Sequence, residues 1–341
     1  MPAQVAVHVR GTNGDAAADL ASAVERTAGG AVVAAAATPS DFAMLDSFRA
    51  DDFFAHLPGD CNLGQVLLTS PKIDSTQSLL QACSKLLPTG TAFVADTQDS
   101  GRGRGSNAWT TPRGCLAVSL LLRFGQDFGG LRASLVQHVA CLAVVRALRA
   151  EAVARGCPEA ARKFVIKWPN DLYADGVKIG GVLCQATGGG ASGFTMVTGI
   201  GLNVLNNEPT TCVQEVIRRC IEASGDTLES PVSRESVLAG LLAELSPLLT
   251  QLAGPGGFES LRGEYTECWM HTGQEVALDP GVVVAMNGAA APQEAMRATV
   301  HEVSSMGYLI AVDGHGRRYE LVPDMNSLDP LSGVVRAKQT V

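Results

Sequence analysis

Three glycines alternate with two arginines at Gly101, Arg102, Gly103, Arg104 and Gly105, inside the run TQDSGRGRGSNAW at positions 97–109. Glycine lets a backbone take positive φ and approach a ligand closely. Arginine presents a rigid fork of donors that fits a carboxylate or a phosphate. The run lies between two apolar stretches, 91–95 and 115–122, that read as strands. Two readings stand: a loop that folds over an anionic ligand, or a flexible basic turn. Trp109, at the end of the run, offers an aromatic face to a base or ring. The spacing is not the GxGxxG dinucleotide fingerprint, because the third glycine comes one residue early. No GxxxxGKS/T phosphate loop occurs in the chain.

Lys167 is a second cationic signal. It ends the β-rich run KFVIK and precedes Trp168-Pro169-Asn170-Asp171, where proline halts a strand and Asn-Asp favours a turn. A lysine at the end of a buried strand needs an anionic partner, either a nearby carboxylate or a ligand. Lys178 follows in the stretch 177–185, whose paired Gly180 and Gly181 mark close approach of a ligand or of backbone. Hydroxyls and amides gather upstream, with Ser75, Thr76 and Gln77 at the head of a helical pattern and Gln98 at the root of the glycine-arginine run. Ser75 or Asp74 can cap that helix, and the same hydroxyls can hydrogen-bond a ligand; the two roles are compatible.

Elements must position these groups. Apolar stretches at 65–69, 91–95, 115–124, 177–185 and 194–204 read as strands. Helical spacing covers 76–87, with apolar residues at 79, 80, 83, 86 and 87, and a long central helix covers 131–156. His138 reads as a residue of that helix face rather than a ligand. Further helices are expected at 211–223, 233–252 and 257–269. The pattern then changes to short strands at 275–278, 297–303, 308–312 and 318–322, with a hairpin turn at 313–316. The alanine-rich segment 287–294 reads as a surface insertion. Residues 1–65 stand apart, with eight acidic and three basic side chains, a helix expected at 15–27 and a short strand near Val32.

Composition limits the classes. The 341 residues carry a net charge of −8, which argues against a general nucleic-acid or membrane-surface binder. No apolar run has the length of a membrane span, and no basic-then-apolar secretory leader begins the chain. Nine cysteines are scattered through apolar stretches without a CxxC pair, so reduced, buried thiols in a cytosol-like compartment are expected.

In their order and spacing, Ser75-Thr76, Gln98, the glycine-arginine run with Trp109, Lys167 to Asp171, Lys178-Ile179-Gly180-Gly181 and Gly201-Leu202-Asn203 closely resemble biotin protein ligase (holocarboxylase synthetase). The resemblance extends from about position 65 to the C-terminus. Asn107 and Trp109 are similar to the eukaryotic branch, and Gln77 stands where bacterial relatives carry Asn. Met270-His271-Thr272-Gly273-Gln274 and Pro323-Asp324-Met325-Asn326-Ser327 resemble the family's C-terminal domain.

The resemblance implies an α/β (α+β) fold. A catalytic domain like that of class II aminoacyl-tRNA synthetases, with a mixed sheet, would occupy 66–269, and a small SH3-like β-barrel 270–341. Residues 1–65 would be an N-terminal extension, unlike the DNA-binding domain of repressor-type relatives. The implied activity is ATP-dependent: biotin becomes biotinyl-5′-AMP and then passes to a lysine on a biotin carboxyl carrier domain of a carboxylase. Lys167 and Arg102 would be catalytic. Ser75, Thr76, Gln77, Gln98, Arg102, Gly103, Arg104 and Lys167 would hold biotin. Gly101, Trp109, Asn170, Lys178 and Asn203 would hold ATP, with Mg²⁺ carried on the phosphates rather than in a protein cage. The loop would close over the labile adenylate. No nucleic-acid or membrane partner is expected, and a cytoplasmic location with an organellar pool is. Lipoate or octanoate transfer on a related fold is the nearest alternative; an Arg-Gly nucleic-acid module is the alternative from another class.

Overall fold

The computed structural model describes residues 4–11, 15–27, 32–35, 47–105, 107–188, 193–278, 284–285, 294–322, 326–328 and 334–337. The chain enters through β1 (Gln4–Val9), α1 (Asp15–Thr27), β2 (Val32–Ala35) and α2 (Ala50–His56). It continues through β3 (Val66–Ser70), α3 (Thr76–Ala82), β4 (Ala92–Ala95), β5 (Cys115–Phe124), α4 (Gly130–Ala133), α5 (Val136–Ala154) and α6 (Pro158–Ala161). Then come β6 (Phe164–Lys167), β7 (Asp171–Ala174), β8 (Val177–Gly188), β9 (Phe194–Asn203), α7 (Val213–Ala223), α8 (Arg234–Ala253) and α9 (Glu259–Cys268).

The nine strands form one mixed sheet in the order β2-β1-β3-β4-β5-β9-β8-β7-β6. Alternation sets its faces. Leu67, Ala92 and Val94 point to one core, while Leu68, Phe93 and Ala95 point to another. The first core holds α5 and α8; the second holds α1 and α3. Because both faces are covered, β3, β4 and β5 read as continuous apolar runs rather than as alternating ones.

The described strands of the N-terminal extension join the main sheet. Helix 15–27 forms as anticipated, but β1 pairs antiparallel with β3 and parallel with β2, so this segment lengthens the main sheet. Val5, Val7, Ala21 and Val24 pack in the same core as Leu80 of α3. α2 and β7 were also not anticipated, and α3 ends at Ala82 where a helix to 87 was expected. α8 is long and apolar enough to cross a membrane, which corrects the expectation that no run is. Its leucines pack against α5 in the core, and a central helix needs the same composition.

A second sheet contains β10 (Glu275–Leu278), β11 (Val284–Ala285), β12 (Met296–Val303), β13 (Leu309–Asp313), β14 (Arg318–Leu321), β15 (Asn326–Leu328) and β16 (Val334–Ala337). It is mainly antiparallel, in the order β11-β14-β13-β12-β10-β16-β15, and fits the expected SH3-like barrel. The hairpin turn closes as expected, with Gly316 at φ +78° and the Asp313 N–H donating to Arg317 O at 3.0 Å. The insertion 287–294 lies outside the described residues except for Glu294, and Pro323, Asp324 and Met325 lie outside them too.

The second sheet is seated on the first by its β12–β13 turn. Gly307 takes φ +78° there and lies so close to α5 that a Cβ would meet His138 Cε1 at 2.9 Å. Its carbonyl accepts the Trp168 indole N–H at 2.9 Å. His138 is enclosed between Phe258 and Tyr265, and burial pushes its pKa down to about 4. Burial does the same to His271, and it lowers His8. Below the ordinary histidine pKa the unfolded chain takes up protons that these folded rings refuse. Stability is therefore full above about pH 6.5 and is lost as pH falls from about 6.5 toward 4. A urea midpoint that declines steadily between pH 6.5 and 4.5 is expected; a flat one contradicts the neutral buried rings.

Candidate active site

The floor of the site is bare sheet. Ala117 pairs with Gly201 and Ser119 with Gly199 across β5 and β9, and Gly201 pairs with Gly181 of β8. These small residues lie in register, and a cavity of about 1130 Å³ opens over them. The emptiness is occupied on two sides. A Cβ on Gly199 would meet Gln77 Oε1 at 2.6 Å, and one on Gly201 would meet Trp109 Nε1 at 2.4 Å.

A hydrogen-bonded chain crosses one end of the floor. Ser75 caps α3, its hydroxyl accepting from the Ser78 N–H at 3.4 Å, and it also lines the cavity, so both expected roles are open to it. Thr76 donates its N–H to Gln98 Oε1 at 2.9 Å, and its hydroxyl meets Ser119 Oγ at 2.9 Å. Gln98 Nε2 donates to Thr111 Oγ1 at 2.9 Å. Gln77 turns inward, with Nε2 donating to Val197 O at 2.9 Å and to Gln185 Oε1 at 3.2 Å, while Oε1 accepts from Ser119 at 3.1 Å. The extra methylene of Gln77 relative to Asn thus carries its amide across to β9 and β8. Buried amides held this way are oriented by their partners, which leaves one face of the network to read a polar ligand.

The glycine-arginine run is a hairpin over the cavity. Trp109 N–H donates to Gly101 O at 2.9 Å, and Gly103 N–H donates to Asn107 O at 2.7 Å. A Cβ on Gly101 would lie 2.3 Å from Trp109 O, so glycine is required at this crossing. Arg102 is exposed and faces the cavity, whereas Arg104 is half-buried and donates to Asn170 Oδ1 at 3.0 Å.

The opposite wall is ionic. Lys167 Nζ lies 3.8 Å from Asp171 Oδ2, and Lys178 Nζ lies 2.8 Å from Asp171 Oδ1. Lys178 also stands 6.0 Å from the centre of the Trp109 ring. The carboxylate partner that Lys167 required is therefore Asp171, placed opposite it in the β6–β7 register. Asn203 donates to Thr210 Oγ1 at 3.1 Å and Thr211 O at 3.2 Å, which ties down the loop at the rim. Among the described residues, the cavity is lined by four cationic side chains, Arg102, Arg104, Lys167 and Lys178, against the single carboxylate Asp171. Such a cavity attracts an anionic ligand and stabilises negative charge that builds up inside it.

All but one of the site residues implied by the resemblance line this cavity. Gly101 does not; it is buried at the base of the hairpin and meets Trp109 instead. Ser119 and Gln185 went unrecognised in the sequence. Ser119 had a signal, being the one hydroxyl inside the apolar strand CLAVSLLLRF. The nine cysteines are all free thiols, and burial pushes Cys115 to about 11 and Cys184 to about 12, far from the range of a reactive thiolate.

Comparison with known proteins agrees with this geometry. Residues 69–203 match the Biotin/lipoate A/B protein ligase family. The chain is 36% identical over 277 residues to biotin–protein ligase 1, chloroplastic, of Arabidopsis thaliana, covering 81% of this chain and 70% of that protein. It is 35% identical to biotin–protein ligase 2 of the same plant, covering 81% of this chain and 78% of that one. Human biotin–protein ligase is 30% identical over 81% of this chain and 36% of its own length. The fold is shared with the biotin protein ligase of Aquifex aeolicus solved with biotin and ATP, at a TM-score of 0.55 and 23% identity, over 80% of this chain and 99% of that one. With its fold, its motifs and these relatives in agreement, the chain belongs to the biotin–protein ligases.

Proposed function

We propose that this protein activates biotin with ATP and transfers it to a lysine of a biotin-dependent acceptor protein, a biotin carboxyl carrier domain of a carboxylase. The observation that carries the reading is the cavity itself: four cations against one carboxylate, over a small-residue floor, beside an ordered chain of hydroxyls and amides. In the first step a biotin carboxylate oxygen bonds to the α-phosphorus and the bond to the β-phosphate oxygen breaks, releasing pyrophosphate. Two anions must meet, and the residues act by position and charge rather than as nucleophiles. Lys167 and Arg102 neutralise the carboxylate and α-phosphate, with Arg104 beside them. Ser75, Thr76 and Gln98 orient the ureido ring, supported by Ser119 and Gln77. Trp109, Lys178 and Asn170 take the nucleotide, and Asn203 fixes the rim. In the second step the acceptor amine bonds to the acyl carbon, the bond to the phosphate oxygen breaks, AMP leaves, and the amine gives up a proton.

Magnesium on the ATP phosphates would add charge neutralisation. Asp171, the one carboxylate of the wall among the described residues, is already spanned by two lysines, which fits a cation held mainly by phosphate and water. Residues 66–269 form the catalytic domain in this reading, 270–341 the C-terminal domain, and 1–65 an edge extension of the catalytic sheet. Cytoplasmic or organellar placement agrees with nine free cysteines.

Gly201→Ala is expected to push the Trp109 ring off the floor, since its Cβ would lie 2.5 Å from Trp109 Cε2. Loss of one ring-stacking contact predicts an ATP KM raised by up to about tenfold, with biotin binding little changed. An unchanged ATP KM would remove Trp109 from the nucleotide site. The function is tested by pyrophosphate release with biotin and with lipoate in parallel. Release that depends on biotin supports the reading; release with lipoate alone overturns it.

A further inference from the structure

We propose that His271, from the C-terminal domain, is a positioning residue for the activation site, holding the strand end that carries Lys167. The proposal rests on the role of Lys167 given above. β6 is the edge strand of the main sheet, so one of its sides is paired by β7 and the other is open to the segment leading into the second sheet. That segment supplies a short parallel bridge, Ile166 with Trp269, in which the Met270 N–H donates to Ile166 O at 3.0 Å. The next donor along the same edge is the Trp168 N–H, and it is the last, because residue 169 is proline. A backbone carbonyl does not meet it; His271 Nε2 accepts it at 2.9 Å, in a buried contact.

The ring is built for this use. Nε2 accepts, so Nδ1 carries the proton and donates to Gln274 Oε1 at 2.8 Å, and the Gln274 N–H returns to His271 O at 3.0 Å. Trp269 sits edge-on to the ring at 5.4 Å between centroids. Burial with Lys167 nearby keeps the ring neutral, as an acceptor must be. Lys167 and Trp168 are consecutive, so the contact fixes the backbone directly after the cation. Trp168 is doubly held, by His271 at its N–H and by Gly307 O at its indole; the first partner comes from the segment leading into the second sheet and the second from that sheet's β12–β13 turn. Without the acceptor, a buried N–H is left unpaired and the turn from Lys167 to Asn170 loses its outer restraint. A shift of about 1 Å in a charged group at a reacting centre can cost up to about 10²-fold in rate.

The test is a double-mutant cycle on biotin-dependent ATP–pyrophosphate exchange, using the full chain with His271→Leu, Lys167→Ala and both together. His271→Leu is expected to slow exchange by about tenfold or more. The double variant is expected to be no slower than Lys167→Ala alone, because His271 acts through Lys167. His271→Gln, whose amide oxygen has about the reach of Nε2, is expected to recover most of the rate. Single losses that multiply in the double variant would overturn the proposal, as would a His271→Leu protein at wild-type rate beside a damaged Lys167→Ala. A Lys167→Ala protein at wild-type rate would overturn the reading of Lys167 and this proposal with it. Should His271→Leu fail to fold, His271→Asn enters the same cycle, its shorter amide falling short of the Trp168 N–H.

Discussion

Lys167→Ala is expected to slow biotin-dependent pyrophosphate exchange by about 10²-fold or more, the loss that follows removal of one preorganised donor from a charge-stabilising site. That is about 2.7 kcal/mol of transition-state stabilisation. The fold should survive the change. Lys167 lies at the cavity wall with its side chain 15% exposed, and its partner Asp171 keeps Lys178 at 2.8 Å, so no carboxylate is stranded. The reaction brings a carboxylate to a phosphate, and the repulsion between them rises along the path. In the role proposed for it, Lys167 is fixed by the β6–β7 register and would oppose that rise without reorganising. Arg104 is committed to Asn170, and Arg102 reaches the cavity from the hairpin rather than from the β6 wall, so the charge at the position of Lys167 is not replaced. Exchange within about threefold of wild type, in a protein with an unchanged melting curve, would show that the neutralising charge lies elsewhere.

Arg234→Ala is expected to lower stability by about 3–5 kcal/mol, the range for breaking a buried ion pair from one side. Arg234 Nη1 meets Asp96 Oδ1 at 2.8 Å, with the two side chains 4% and 5% exposed. The same carboxylate oxygen accepts the Phe48 N–H at 3.0 Å, and the guanidinium lies 5.8 Å from the Phe48 ring centre. Deleting the arginine leaves the buried Asp96 carboxylate without the cation that faces it. Asp96 directly follows β4 and precedes the root of the hairpin over the cavity, so the damage reaches Gln98 as well. Replacing both partners, Arg234→Met with Asp96→Leu, should recover part of the loss, since two apolar groups bury without a charge. Recovery stays partial because the Phe48 N–H loses its acceptor. Denaturant unfolding measures both values, and a loss below about 1 kcal/mol for Arg234→Ala would mean that the pair contributes little.

The parts of the site that were legible in the sequence are those whose residue types the chemistry dictates. Arg102 and Arg104 among glycines, and Lys167 before Trp168-Pro169, are costly placements for a core or a plain turn, so they stand out locally. The floor was not legible. Ala117, Ser119, Gly181, Gly199 and Gly201 become one surface only through cross-strand register, which no local spacing records. Gln185 was hidden for the same reason, because its partner Gln77 lies on a helix from another part of the chain. In the fold, β5 and α1 were read with their true ends because each is long and uniform. β1 was missed because its sequence, QVAVHV, shows itself as a sheet strand only beside β3. β7 was missed because the turn signal Asn170-Asp171 overlaps its first residue. His271 sits in a recognised motif, yet its task is visible only where the two sheets meet.

The most direct test of the whole account is transfer. The protein is incubated with labelled biotin, ATP, Mg²⁺ and a biotin carboxyl carrier domain, and the acceptor is then examined by mass and by label. The account predicts one biotinyl group in amide linkage to a single acceptor lysine, dependent on ATP and absent when that lysine is replaced by arginine. Label that stays off the acceptor while pyrophosphate is released, or that joins it without ATP, would contradict it.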